Sequence, residues 1–173
     1  MTSAAAPEIT VTRAGPERLD DLEPLWKALH DHHAVAASQL AGVTPFRSPG
    51  ESWARRRASY AAWLEGPDAF ALIAEHDGEP VGYAFVRVGG GETMLVTGDR
   101  VGSLETLSVL PHARGRGIGT AIVDEVYREL GRLGVRELTV DLMATNTDAA
   151  RFYERRGMIP YVATYLGRVD GGE

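Results

Sequence analysis

The sequence predicts an α/β domain, an α+β arrangement around a mixed sheet, and three observations carry that prediction. Short apolar runs of strand character recur along the chain, at 9–12, 69–75, 81–88, 102–109 and 138–143. Between them lie segments whose apolar residues return at helical spacing. The 173 residues, 44% hydrophobic and 24% charged, suit one ordinary core with no internal break. The expected order is β-α-α-β-β-β-α-β-α-β in a single domain over 1–173, with residues 1–7 and 170–173 as flexible tails.

Each element has its own justification. Ile9-Thr10-Val11-Thr12 alternates as a strand does. Leu19, Leu22, Leu25, Trp26 and Leu29 share a helical face within 16–40. Residues 41–50, with Gly42, Pro45 and Pro49, form a loop before a second helix over 51–64, which Gly66-Pro67 stops. The runs 69–75 and 81–88 flank Asp77-Gly78, a strong hairpin signal. Gly89 opens a loop, with a short strand expected at 93–97, and 102–109 is the next strand. Ile118, Ile122, Val126, Leu130 and Leu133 mark a helix ending near Gly134. A strand at 138–143, a helix at 146–156 and a closing extended segment at 158–169 complete the chain.

Composition narrows the function. A net charge of −6 argues against a nucleic-acid partner. No apolar run approaches the ~20 residues that span a bilayer, so no membrane partner is expected. The start, Met1 to Pro7, lacks the basic and apolar regions of a secretory signal. There are no cysteines, hence no disulfide framework and no thiolate metal site, and a cytoplasmic location is expected. His30-Asp31-His32-His33 invites a metal reading, but no matching ligand cluster occurs elsewhere and the expectation is no metal.

The most informative stretch runs from Leu107, Ser108 and Val109 through Pro111 to Arg114-Gly115-Arg116-Gly117-Ile118-Gly119-Thr120. A strand stops, and three alternating glycines feed directly into an amphipathic helix. Glycine lets backbone approach a ligand closely, and a helix start offers unpaired N–H groups and a partial positive charge. With Arg114 and Arg116 alongside, the pattern reads as a cradle for phosphate or pyrophosphate. The dinucleotide spacing G-x-G-x-x-G fails, because Thr120 and Ile122 stand where the third glycine belongs. A P-loop fails for want of Gly-Lys-Ser/Thr.

The remaining spacing, Arg114-x-x-Gly117-x-Gly119, resembles the acetyl-CoA signature of the GNAT superfamily of N-acetyltransferases. The resemblance continues in Asn146-x-x-Ala149-x-x-Phe152-Tyr153-x-x-x-Gly157-Met158 and covers 104–158. It implies a GNAT-like acyl-CoA-binding fold, acetyl-CoA as cosubstrate, and transfer of the acetyl group to a primary amine on a small molecule or peptide by direct attack on the thioester. A homodimer is compatible with it. Backbone at Leu107, Ser108 and Val109 would line the pantetheine arm, the amides of Arg114 to Thr120 would take the pyrophosphate, and Asn146 would bond the pantetheine region while also serving as a helix N-cap. Tyr153 would protonate the departing thiolate. Two carboxylates remain open as the base, Glu105 first and Asp141 second. Strand alternation places Glu105 on the face of Leu107 and Val109, and Asp141 on that of Thr139 and Met143. His32, His33 and Arg47 lie in the region that would wall the acceptor pocket, while His112 is expected to face solvent. A second function class is a non-catalytic acyl-CoA-binding regulatory module, which would need none of the proton-transfer groups.

Overall fold

The computed structural model describes residues 9–169, so the expected tails, 1–7 and 170–173, lie outside the described residues. Strand β1 (Ile9–Ala14) leads through a 3₁₀ turn (Pro16–Leu22) into helix α1 (Glu23–Ala36), a second 3₁₀ turn (Ser38–Gly42) and helix α2 (Pro49–Leu64). Strands β2 (Ala69–His76), β3 (Glu79–Gly90) and β4 (Arg100–Val109) follow. A short 3₁₀ turn (Pro111–Ala113), helix α3 (Ile118–Arg132), strand β5 (Leu138–Val140) and helix α4 (Thr147–Glu154) come last. The strands form one sheet in the order β1-β2-β3-β4-β5, antiparallel through β4 and parallel between β4 and β5.

Both faces of this sheet are covered, which is why β2 and β3 read as continuous apolar runs. On one face Leu72, Ala84, Val86 and Leu104 pack with Ile118, Ile122 and Val126 of α3 and with Tyr153 of α4. On the other, Ile73, Tyr83 and Phe85 pack with Leu25 of α1 and with Trp53 and Tyr60 of α2. Helix α3 sits close because two strand positions lack a side chain. A Cβ on Gly82 would lie 2.8 Å from the Ser108 carbonyl and 3.0 Å from Ile122, and one on Gly102 would lie 3.0 Å from Leu130.

Five elements depart from the sequence-based expectation, one of them β5, which ends at Val140 rather than at 143. The first helix is not continuous over 16–40: Pro24, in the first turn of α1, has no N–H to extend the preceding turn, so the segment breaks into a 3₁₀ turn, α1 and a further 3₁₀ turn. Helix α2 begins before residue 51, because Ser48 and Glu51 form a reciprocal capping box around Pro49. No strand forms at 93–97; β3 instead continues through Gly89 and Gly90, paired with Val101 and Arg100, and Gly91 N–H closes the loop on the Asp99 carbonyl at 3.0 Å. The closing segment at 158–169 forms no strand either. Pro160 lacks a donor, and no neighbouring ladder receives the segment, which lies largely exposed.

Candidate active site

The site is organised by a β-bulge. Phe85 pairs with Thr106 and Val86 with Leu104, leaving Glu105 as the extra residue. Ahead of the bulge, Gly102 directs its N–H to Glu137 on the β5 side at 2.9 Å. Beyond it the parity changes: Leu110 N–H bonds Val81 at 2.9 Å, so the alternation of an antiparallel ladder turns the N–H and C=O groups of Leu107 and Val109 away from β3. They face the edge that β5 abandons, since pairing between β4 and β5 ends at Leu104 and Val140. A strip of backbone polar groups, open except for the Val109 carbonyl that accepts from Arg114 Nε, therefore lines a gap between two diverging parallel strands.

The bulge also corrects one expectation. Glu105 does not share a face with Leu107 and Val109. Those two pack on the α3 side, whereas Glu105 lies against Arg56 of α2 and Arg87 of β3 on the α1–α2 side. Simple alternation fails because the extra residue shifts the pattern by one place. Thr106 and Ser108 face the same side: Thr106 Oγ1 lies 2.5 Å from the Tyr60 hydroxyl, which is 3.2 Å from that of Tyr83, and Ser108 donates to the Leu25 carbonyl at 2.8 Å. Ser108 thus ties β4 to α1.

At the end of β4 the glycine loop takes the conformation its composition favours. Gly115 and Gly117 both have positive φ, +74° and +77°, with open space where a Cβ would stand. Gly117 is the N-cap of α3, no side chain caps the helix, and its first bond runs from Ala121 to Gly117 at 2.9 Å. The N–H groups of Ile118, Gly119 and Thr120 are left to point out of the helix start. Arg114 donates from Nε to the Val109 carbonyl at 3.0 Å, closing the loop back onto β4, and Arg116 is exposed. Arg114 also borders a cavity of about 430 Å³ between this loop and α1, shared with Ala28, Asp31, His32, Val35 and Pro111. Exposed N–H donors beside guanidinium groups and an open strand edge fit a ligand that joins a pyrophosphate to an extended amide chain.

Helix α4 brings the second motif to this place. Asn146 caps it, its Oδ1 accepting from Ala149 N–H at 3.2 Å. Phe152 packs near the first turn of α3, where a Cβ on Gly119 would lie 3.8 Å from its ring. Tyr153 is buried in the α3-side core, edge-on to Phe152 at 5.1 Å. Burial, reinforced by Tyr127 and opposed by Arg156, pushes its phenol well above the ordinary value. That phenol therefore keeps its proton at neutral pH.

The second carboxylate is placed differently. Strand β5 stops at Val140, so Asp141 lies beyond it, exposed and close enough to Tyr161 to act on its phenol electrostatically. Glu105, by contrast, is about four-fifths shielded, with Arg87 Nη1 3.5 Å from one oxygen and Arg56 Nη1 4.0 Å from the other. Sequence reasoning missed both arginines. Arg87 had a visible signal, a lone charge inside an apolar strand; Arg56 had none, because only tertiary packing brings α2 over β4. His30 is buried on α1 without a hydrogen bond at either ring nitrogen and faces Phe46 edge-on at 6.0 Å. Among the described residues no group of three or more His, Cys, Asp or Glu is placed to hold a metal ion. Arg47 and His112 are exposed.

The sequence pattern of the Acetyltransferase (GNAT) family matches residues 26–158. The chain belongs to the GNAT family. Its relatives include an uncharacterized N-acetyltransferase of Mycobacterium tuberculosis (strain ATCC 25618 / H37Rv), 33% identical over 101 residues, a match covering 58% of this chain and 59% of that protein. A mycothiol acetyltransferase of Streptomyces griseus is 31% identical over 108 residues, covering 62% of this chain and 32% of that one. The matches thus span well under two thirds of these relatives. The GNAT fold is seen again in an aminoglycoside N-acetyltransferase solved in complex with CoA, with a TM-score of 0.72, 20% identity, and coverage of 96% of this chain and 98% of that one. A GCN5-related N-acetyltransferase from Ralstonia eutropha gives a TM-score of 0.73 at 18% identity, covering 95% and 100%. No helix among the described residues is long and apolar enough to cross a membrane.

Proposed function

We propose that this GNAT chain is an acetyl-CoA-dependent N-acetyltransferase acting on a primary amine of a small molecule or peptide. The observation that carries the reading is the coincidence, at the end of β4, of an open strand edge with the uncapped, glycine-opened start of α3. The cosubstrate supplies an activated acetyl group; the protein holds, orients and moves protons. The amides of Arg114 to Thr120 receive the pyrophosphate, and the backbone of Leu107 and Val109 receives the pantetheine arm, Ser108 serving as the anchor between them. Asn146 caps α4, and the packing of Phe152 of that helix near the first turn of α3 supports a role for Tyr153 at the same site.

The two sides of the sheet divide the proton traffic. Glu105 faces the α1–α2 side and takes a proton from the incoming amine, directly or through water. Tyr153 sits on the α3 side and gives its proton to the sulfur as the C–S bond breaks and the C–N bond forms. A base and an acid on opposite sides of a gap suit a single displacement, because neither has to move between the two tasks. Retention of both also favours an enzyme over a non-catalytic acyl-CoA-binding module.

Calorimetry with CoA, paired with thiol release over a panel of amines, tests this. CoA is expected to bind; Glu105→Gln is expected to lower turnover about 10²–10⁴-fold with CoA affinity kept, as general-base groups do, while Asp141→Asn has a small effect. No CoA binding would end the acetyltransferase reading, and a large loss confined to Asp141→Asn would transfer the base to that residue.

A further inference from the structure

Around Glu105, on the α1–α2 side of the sheet, stands an Arg–Glu–Arg arrangement that the acetyl transfer itself does not require. Arg56 lies over the Trp26 ring at 4.7 Å and near the Tyr60 ring at 5.6 Å, and Arg87 lies over the Trp63 ring at 4.4 Å. The platforms are themselves fixed: Trp26 donates to Ser52 Oγ at 3.2 Å, and Trp63 packs against Phe85 and Tyr60 at 5.7 and 6.0 Å. Stacking orients a guanidinium plane while leaving its edge donors free.

Glu105 does not saturate those donors. Arg87 and Arg56 approach opposite oxygens of Glu105 at 3.5 and 4.0 Å, too far for hydrogen bonds. Some arginines in this protein close their pairs, Arg18 to Glu75 at 2.7 Å, Arg57 to Asp20 at 2.7 Å and Arg100 to Asp68 at 2.5 Å, while Arg13–Glu129 and Arg151–Asp148 stand open at 3.5 and 3.8 Å on more exposed side chains. Arg56 and Arg87 are 29% and 47% exposed, so both reach solvent and a ligand. Two pre-oriented guanidiniums around one carboxylate leave an excess of positive charge, in a protein whose net charge is −6. Planar guanidinium edges match a carboxylate bidentately.

We propose that the acceptor is an amino acid, an amine that carries a carboxylate, with its carboxylate held by Arg56 and Arg87 and its amine directed to Glu105. Rearrangement of partners makes this favourable: the acceptor's ammonium meets the one anion of the cluster, and its carboxylate meets the two cations. A polycationic acceptor finds the opposite, two fixed like charges beside the base. This inference rests on the acetyltransferase reading above and narrows it to one substrate class.

The test compares acceptors that differ only in the carboxylate, L-leucine against L-leucinamide, together with L-glutamate and the polycation spermidine, in a thiol-release assay. The free amino acids are expected to exceed the amide and spermidine by tenfold or more in kcat/KM, even though the amide's amine loses its proton more readily. Arg56→Gln and Arg87→Gln are each expected to raise KM for the amino acid at least tenfold and to bring the acid-to-amide ratio toward one, with CoA affinity by calorimetry kept. Arg→Lys at either position, which retains charge but not the planar fork, should preserve part of the preference and controls for folding. The inference is overturned if the amide or spermidine is the better acceptor, if no free amino acid is acetylated, or if the variants leave the ratio as it was. CoA binding with turnover of other amines would overturn it alone; absence of CoA binding would remove the acetyltransferase reading beneath it.

Discussion

At the residue scale, Tyr153 separates enzyme from binder most sharply. Its ring belongs to the α3-side core, so Tyr153→Phe keeps the packing and removes only the hydroxyl. If that hydroxyl protonates the thiolate, kcat and kcat/KM should fall together, with little change in CoA affinity or Tm. Near wild-type single-turnover rates in the variant would assign Tyr153 to packing alone. The raised phenol sharpens the expectation. Burial holds the proton more tightly than in water, so the hydroxyl can act only as a donor at neutral pH. Candidates of this kind stand out in the sequence alone, because Asn146, Tyr153 and the glycines belong to motifs of short, local spacing. The pairing of Glu105 was not legible, although Arg87 stood out as a lone charge in an apolar strand, since Arg56 and Arg87 reach it only from α2 and β3.

At the element scale, two kinds of glycine should respond oppositely to substitution. Gly82 gives α3 its seat: in Gly82→Ala the new methyl meets the Ser108 carbonyl, which is backbone and cannot swing aside. A loss of about 1–3 kcal/mol in stability by urea unfolding is expected, as for other overpacked positions. Gly117 has open space around it but a φ of +77°, so Gly117→Ala should cost only about 1–2 kcal/mol of backbone strain while weakening CoA binding about tenfold. Comparable CoA affinities in the two variants would argue that the loop is a mere connector. The elements were readable wherever local signals sufficed, as in the hairpin at Asp77-Gly78 and the face of α3. They were not readable where tertiary geometry decided. The bulge is a different case: between Leu104 and Leu107 the alternation breaks at Glu105-Thr106, two polar residues in a row, a signal that an even alternation assumed across 105–109 passes over. The strand expected at 158–169 had the right composition but no ladder to join.

At the scale of the whole molecule, the sheet's two apolar layers enclose phenols, and this makes stability depend on alkaline pH in a way that can be read cleanly. Burial raises Tyr60, Tyr83 and Tyr153 above the ordinary value. The folded protein therefore retains protons that the unfolded chain releases near pH 10. The contribution is fully present below about pH 10 and is withdrawn as pH rises toward the folded values. The chain has no cysteine, Lys27 is its one lysine and arginine stays charged, but Tyr161 is raised as well, first by its hydrogen bond to Glu92, and acts in the same direction. Lys27 is surface-paired with Glu23 at 2.6 Å, a pair of small energetic weight. Urea unfolding from pH 8 to 11 should show near-constant stability up to about pH 9.5 and a steady fall beyond it, with tyrosinate absorbance rising as the protein unfolds. Tyr153→Phe removes one buried phenol without stranding a partner, unlike Tyr60→Phe, which would leave Thr106 and Tyr83 short of a bond. Its alkaline fall should be shallower than that of the wild type. Equal slopes would mean that Tyr153 ionises in place, through water reaching it from the gap between β4 and β5, and the tighter hold on its proton would then be wrong.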